Sequence, residues 1–347
     1  MPTTAVHLAL FATGLSIAAA VAAPPSLAAE PRVNLEIATT PDFPPTEIRK
    51  WSELLGKLEL GSVRIRGGNG NDAAEIKVLG KEDSPTYQVT GILTEEGKLL
   101  LPKGRFTLSD RAKLEQWFAK LKEGGIEGVT VKPAAFGLLP TQLVTVHEAL
   151  AAPVAFSTKD QSPQGVAKRI ADGLSLKFIT DAAGQRALAS EEPVADELQG
   201  ITSGTALAAV FRPLGLVLVP EKSGSEIRLR IADSRTAREH WPVGWPPKGN
   251  PRETLPDLFK MLNVEIAPIP LTEALPAIQE RLKAPVLFDH NSLARHEIDL
   301  ATKVELPKTN TYYDRILDRL LIQAKLKYEL RIDEADKPLL WITTVKP

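Results

Sequence analysis

The 347-residue sequence predicts an α+β protein: an N-terminal open α/β sandwich unit followed by two tandem small β-α-β-β-α-β modules. Three observations carry that expectation. Residues 265–347 alternate apolar patterns of period two and period 3.6 in the order strand, helix, strand, strand, helix, strand, strand. A second copy of that order stands upstream at a constant offset: 275 − 166 = 109 for Leu275 and Val166, 289 − 181 = 108 for Asp289 and Asp181, and 317 − 207 = 110 for Leu317 and Leu207. Residues 31–132 carry two helical faces among period-two runs and do not repeat. The expected divisions are a signal peptide at 1–28, the first unit at 31–132, one module at 133–232, a Pro/Trp-rich linker at 233–255, and the second module at 256–347.

Residues 8–23 form an apolar run followed by Pro24 and Pro25 and then Ser26-Leu27-Ala28, whose small residues suit signal peptidase cleavage after Ala28. Export to a periplasmic or comparable compartment is therefore expected, with no integral membrane segment after cleavage. The first unit opens on the alternating VNLEI at 33–37. A helix follows the prolines at 44 and 45, with Ile48, Trp51, Leu54, Leu55 and Leu58 on one face. Strands are expected at 63–66 and 75–79, joined as a hairpin through GGNGND, because glycine and asparagine accept positive φ. Such loops can cradle phosphate, but no helix N-terminus follows this one. Strands at 86–93 and 98–101 continue the sheet across Glu95-Glu96-Gly97. The last helix, with Leu114, Trp117, Phe118 and Leu121, stops at Gly124-Gly125.

A short helix with Leu139, Leu143, Val146 and Leu150 precedes the first module. Its opening strand is expected at 154–156. Ser162 then caps a helix with proline at its first position, and a strand runs over 176–180. After a polar loop, a second helix carries Leu207, Val210, Phe211 and Leu214. A hairpin of 216–219 and 227–231 closes the module. Prolines 242, 246 and 247 keep the linker extended, and Trp241 and Trp245 are expected to pack across the joint it makes. In the second module Leu271, Leu275, Ile278 and Leu282 mark the first helix, with Pro276 expected near its first turn. Strands follow at 284–290 and 303–306. Thr311 and Asp314 have capping-box spacing before Ile316, Leu317, Leu320 and Leu321, and a final hairpin turns through DEADKP.

Composition excludes several classes. Lys plus Arg number 42 against 43 Asp plus Glu, so nothing draws the chain to nucleic acid or anionic lipid by net charge. With no cysteine there is no disulfide framework, lipidated cysteine or thiolate metal site.

The strand, PLTEAL helix start, APVLFDH strand, leucine-paired helix and closing LKYEL/LLWITT hairpin of the second module resemble the short N-terminal (STN-like) module shared by secretins and TonB-dependent receptors. The upstream copy resembles it at 162–181 and 204–231. The resemblance implies non-enzymatic modules that stack into periplasmic rings or dock on partners by edge strands and exposed helices. No membrane β-barrel pattern follows the second module here, so a pore or receptor role is not implied.

Candidate chemistry is sparse. His290 and His296 flank a short stretch beside Asp289 and Asp299, a donor set suited to zinc or manganese, but their spacing specifies no geometry. His240 and His147 read as surface or packing residues. Glu191-Glu192 and Glu95-Glu96 fall in turns, and no GxSxG, SxxK or HExxH occurs. The expectation is therefore no catalytic residue, no cofactor-binding residue, no metal ligand and no cofactor. The function expected is a cell-envelope scaffold or protein-binding protein, whose partners are envelope proteins or further copies of itself met through sheet edges or helix faces. The alternatives are an envelope-polymer hydrolase or a small-ligand-binding protein.

Overall fold

Alternation of Val33, Leu35 and Ile37 with Asn34 and Glu36 makes β1 (Arg32–Thr39) a strand with one buried face, and a six-stranded sheet is assembled around it. In this computed structural model residues 31–345 are described, except 42, 70, 82, 83 and 225; the expected signal peptide lies outside the described residues. They divide into two compact units that meet between Phe118 and Ala119.

In the first unit α1 (Pro45–Leu55) leads from β1 to β2 (Ser62–Gly67), which pairs parallel to β1. The helix buries Trp51 and Leu55 and stops short of Leu58. β3 (Glu75–Lys81) pairs antiparallel with β4 (Ser84–Leu93), and β4 runs parallel to β1. The expected β2–β3 hairpin does not form. β2 lies beside β1 and β3 beside β4, so the glycine-rich segment between them crosses both inner strands. The physical reason lies in the pairing of Leu35 with Val63 on one side and Val89 on the other, which places β1 between β2 and β4. Asp72 fastens the crossing segment by accepting two bonds from Arg66 and the Asn69 N–H. β5 (Leu99–Leu101) and β6 (Gly104–Phe106) complete the sheet. α2 (Arg111–Thr130) breaks at Gly125, where φ is 59°, as the paired glycines predict.

The second unit begins its first module with α3 (Pro140–Leu150) and α4 (Pro163–Ala171), the latter capped by Ser162. β7 (Lys177–Thr180), α5 (Ala182–Leu188), α6 (Ser203–Phe211), β8 (Leu216–Ser223) and β9 (Glu226–Asp233) follow. After α7 (Pro251–Thr254), the second module runs through β10 (Met261–Pro270), α8 (Leu271–Leu282), β11 (Val286–Phe288), α9 (His290–Arg295) and β12 (Lys303–Tyr312). It ends with α10 (Tyr313–Gln323), β13 (Leu326–Ile332) and β14 (Pro338–Thr344). The two three-stranded sheets have one topology, β7-β9-β8 and β11-β14-β13. In each, the first strand is parallel to the last, and the last is antiparallel to the one before it.

Four local expectations need correction. The opening strand at 154–156 is reduced to a single bridge between Pro153 and Thr202. Its counterpart, with offsets 261 − 153 = 108 and 312 − 202 = 110, is the Met261–Tyr312 pair that begins the long β10–β12 ladder. The polar loop after the 176–180 strand and the stretch between His290 and His296 hold short helices, α5 and α9, because Asp181 and Asp289 accept the N–H groups of Gly184 and Ser292. β12 extends to Tyr312, so Thr311 is spent in the ladder and the capping box is not made; Asp314 accepts the Tyr328 hydroxyl instead. Pro276 lies in the middle of α8, not in its first turn. The linker tryptophans pack against both modules, as expected. Trp241 is 1% exposed, and Trp245 exchanges two backbone hydrogen bonds with Ile332. The packed helix faces agree with the sequence pattern: Leu207, Phe211, Leu317 and Leu321 are fully buried. Among the described residues no helix is long and apolar enough to cross a membrane.

Candidate functional site at the seam between the modules

The polar residues of the second unit gather where its two modules meet, and α6 is the element they hold. At its N-terminus the Glu334 carboxylate, from the β13–β14 turn, reaches across the seam. It accepts the hydroxyls of Thr202 and Thr205 (2.9 Å for Thr205), the Thr205 N–H (3.1 Å) and the indole N–H of Trp241 (2.5 Å). Glu334 is 7% exposed, so these donors replace the water that such a carboxylate needs, and the helix dipole favours its charge. Gly204 is required here: a Cβ would stand 2.6 Å from Oε1 of Glu334 and 2.7 Å from the indole nitrogen.

At the other end of α6, Arg212 donates through Nε and Nη2 to the two carboxylate oxygens of Asp289, at 2.9 and 2.8 Å. Asn291 donates its amide to the Arg212 carbonyl at 2.6 Å. Burial pushes the Asp289 carboxyl up, but the bonds and charge of Arg212 and the Ser292 N–H outweigh it and leave the group below the usual carboxylate range. Asp289 thus caps α9 and pairs with a cation at the end of a helix in the other module.

His290 places Nε2 2.9 Å from Oδ2 of Asp196. Burial of the imidazole works to lower its pKa, yet the bond to Asp196 and the charges of Asp196 and Asp289 raise it above its ordinary value. This pair stands at one side of a cleft of about 150 Å³ with an apolar wall that includes Pro163, Val194, Leu198 and Val210, and with Glu192 at its lining. The apolar core beneath is shared: that of the first module includes Leu287, Leu339 and Trp341 of the second.

The histidine and carboxylate set weighed near residue 290 is split. Asp289 serves Arg212 and His290 serves Asp196. The Nε2 of His296 is buried without a hydrogen-bond partner, and Asp299 accepts the Ala301 N–H at 2.8 Å. Among the described residues no group of three or more metal-binding side chains converges. His147 stacks at a tilt against Trp241 and Trp245, and His240 is exposed. Glu191, Glu192 and Glu95 are exposed, and Glu96 pairs with Lys98 at 2.7 Å. In the glycine-rich loop the N–H groups of Asn69 and Asn71 are taken by Asp72 and by the Asn69 side chain, so neither is turned to an anion. Sequence reasoning missed Arg212, Asp196, Thr202, Thr205 and Glu334. A usable signal existed for Asp289 alone, because Asp181 occupies the same place in the repeat. Comparison with protein-family models, curated proteins and solved structures gives no match for this chain.

Proposed function

We propose that the chain is an exported, non-enzymatic scaffold or protein-binding protein of the cell envelope, built on two tandem modules of the secretin and TonB-receptor type. The observation that supports this most is the seam. Its buried carboxylates and its imidazole are engaged in joining the modules, and the two sheets of like topology form a joined platform with outer edges and helix faces left for partners. The test is crosslinking in the native envelope followed by purification. A defined partner or oligomer is the expected product, and recovery of a free monomer alone would sink the proposal.

A small-ligand-binding protein is the second reading, favoured by the cleft beside His290. It requires saturable binding of a small apolar molecule that is lost when Val210 at the cleft wall is enlarged to Trp.

A further inference from the structure

β13 is an edge strand of the second module's three-stranded sheet. β13 pairs with β14 on one side in continuous register. At the far end of β13, Ile332 donates its N–H to the Trp245 carbonyl (2.8 Å) and accepts the Trp245 N–H (2.7 Å). The peptide groups of Ile332 therefore face away from β14. Outward direction recurs every second residue, so those of Leu330, Tyr328 and Leu326 face the same way. Trp245 thus shows that this edge accepts an added strand. It cannot continue along it: Pro247, which the antiparallel register would place opposite Leu330 (245 + 332 = 247 + 330), has no N–H to give.

Beside that edge lies an open groove of about 530 Å³, lined by Tyr312, Arg315, Asp318, Arg319, Ile322, Leu326 and Lys327. Three cations there face one carboxylate. Their ion pairs are long, 4.0 Å from Arg315 to Asp318 and 3.7 Å from Lys327 to Glu329, and Arg315 also donates to the Tyr312 hydroxyl at 3.3 Å. Ile322 is 57% exposed on the helix wall. A strand laid along the edge would present every second side chain to this basic wall.

We propose that the groove between α10 and the β13 edge takes an extended acidic segment of a partner protein. Its backbone pairs with Tyr328 and Leu330, beyond the buried Leu326, and its carboxylates meet Arg315, Arg319 and Lys327. This rests on the scaffold function proposed above and names the chemistry of its partner.

The probe is a capped nine-residue peptide of alternating glutamate and valine, titrated into the intact chain by calorimetry and followed on backbone amide NMR signals. Binding with shifts confined to β13 and α10 is expected, with no binding of a lysine–valine counterpart or of a glutamate peptide N-methylated at alternate amides. The double variant Arg315→Glu/Arg319→Glu, at two exposed positions, should keep the wild-type melting temperature and weaken the glutamate peptide by at least about tenfold. Equal binding of the lysine peptide, an unchanged affinity in the double variant, or shifts elsewhere would overturn the assignment. So would a wild-type dimer abolished by the double variant, which would give the edge to a second copy of the chain. The envelope crosslinks separate the two levels of the argument. Loss of a crosslinked partner in the double variant supports the groove, whereas crosslinks that persist in it would leave the scaffold standing and remove the groove.

Discussion

In the second module the helices α8 and α10 are covered by their own two-stranded ladder, β10 with β12, which contributes Val304 and Leu306 to a core of that module. At the same place in the first module a single bridge survives, between Pro153 and Thr202. Its core is completed from elsewhere, by Leu138, Val146 and Leu150 around α3 and by Leu287, Leu339 and Trp341 from the other module. Even the N-terminus of α6 takes its counter-charge from Glu334 in the second module. The module without a covering ladder takes part of its core and its counter-charge from its sister, and this asymmetry joins the pair.

The sharpest way to break that comparison is Glu334→Ala. It would leave the Trp241 indole N–H, the Thr205 N–H and two hydroxyls unpaired in a buried seam, a loss of about 3–5 kcal/mol. Calorimetry should register it, and hydrogen exchange should show protection falling in α6 well before α10, although the substitution is in the second module. A change under about 1 kcal/mol, or protection lost in α10 but kept in α6, would mean that the first module does not lean on Glu334.

Much of this fold was legible in the residues. Burial periodicity located nearly every strand and long helix, because those patterns answer to the local period of the chain. The constant offset of Val166, Asp181 and Leu207 from Leu275, Asp289 and Leu317 revealed the duplication, and the two sheets share one topology. What was not legible has a common cause. The β2–β3 crossing depends on which strands β1 selects, the lost capping box depends on how far β12 pairs with β10, and Glu334 looks like an ordinary turn residue until its partners, 93 to 132 positions away, are brought to it. Pairings across such distances leave no period to read.

Asp181 and Asp289 provide a smaller and better controlled comparison. Both cap the short helix after the first sheet strand, but only Asp289 also holds an arginine of the other module. Asp181→Ala should cost about 1 kcal/mol, the ordinary value of a lost cap. Asp289→Ala should cost about 2–4 kcal/mol, since its side chain is 6% exposed and its removal strands Arg212, itself partly in solvent. Urea unfolding of the two variants reads the difference directly. If the two losses coincide, the Arg212 pair contributes nothing to the seam.

The smallest expected effect tests the seam at its mouth and depends on pH. The folded protein raises the pKa of His290 above its ordinary value of 6.5, chiefly through Asp196 once burial has been overcome, with Asp289 adding to it. Glu192 lines the same cleft, and the charge of Arg212 is committed to Asp289. A raised folded pKa means that the protonated imidazole stabilises the native state fully below about 6.5, and that this contribution is lost as the pH rises through the folded value. The stability advantage of the native chain over His290→Gln should therefore be largest near about pH 5.5, at up to about 1 kcal/mol for a pair at the protein surface, and should shrink toward about pH 8.5. Asp196→Asn should remove the same pH dependence, because the two substitutions delete one interaction from opposite sides. An advantage that is flat with pH, or that grows as the pH rises, would show that the second module does not hold residue 196 through this imidazole, and that the seam is sealed by Glu334 and Arg212 alone.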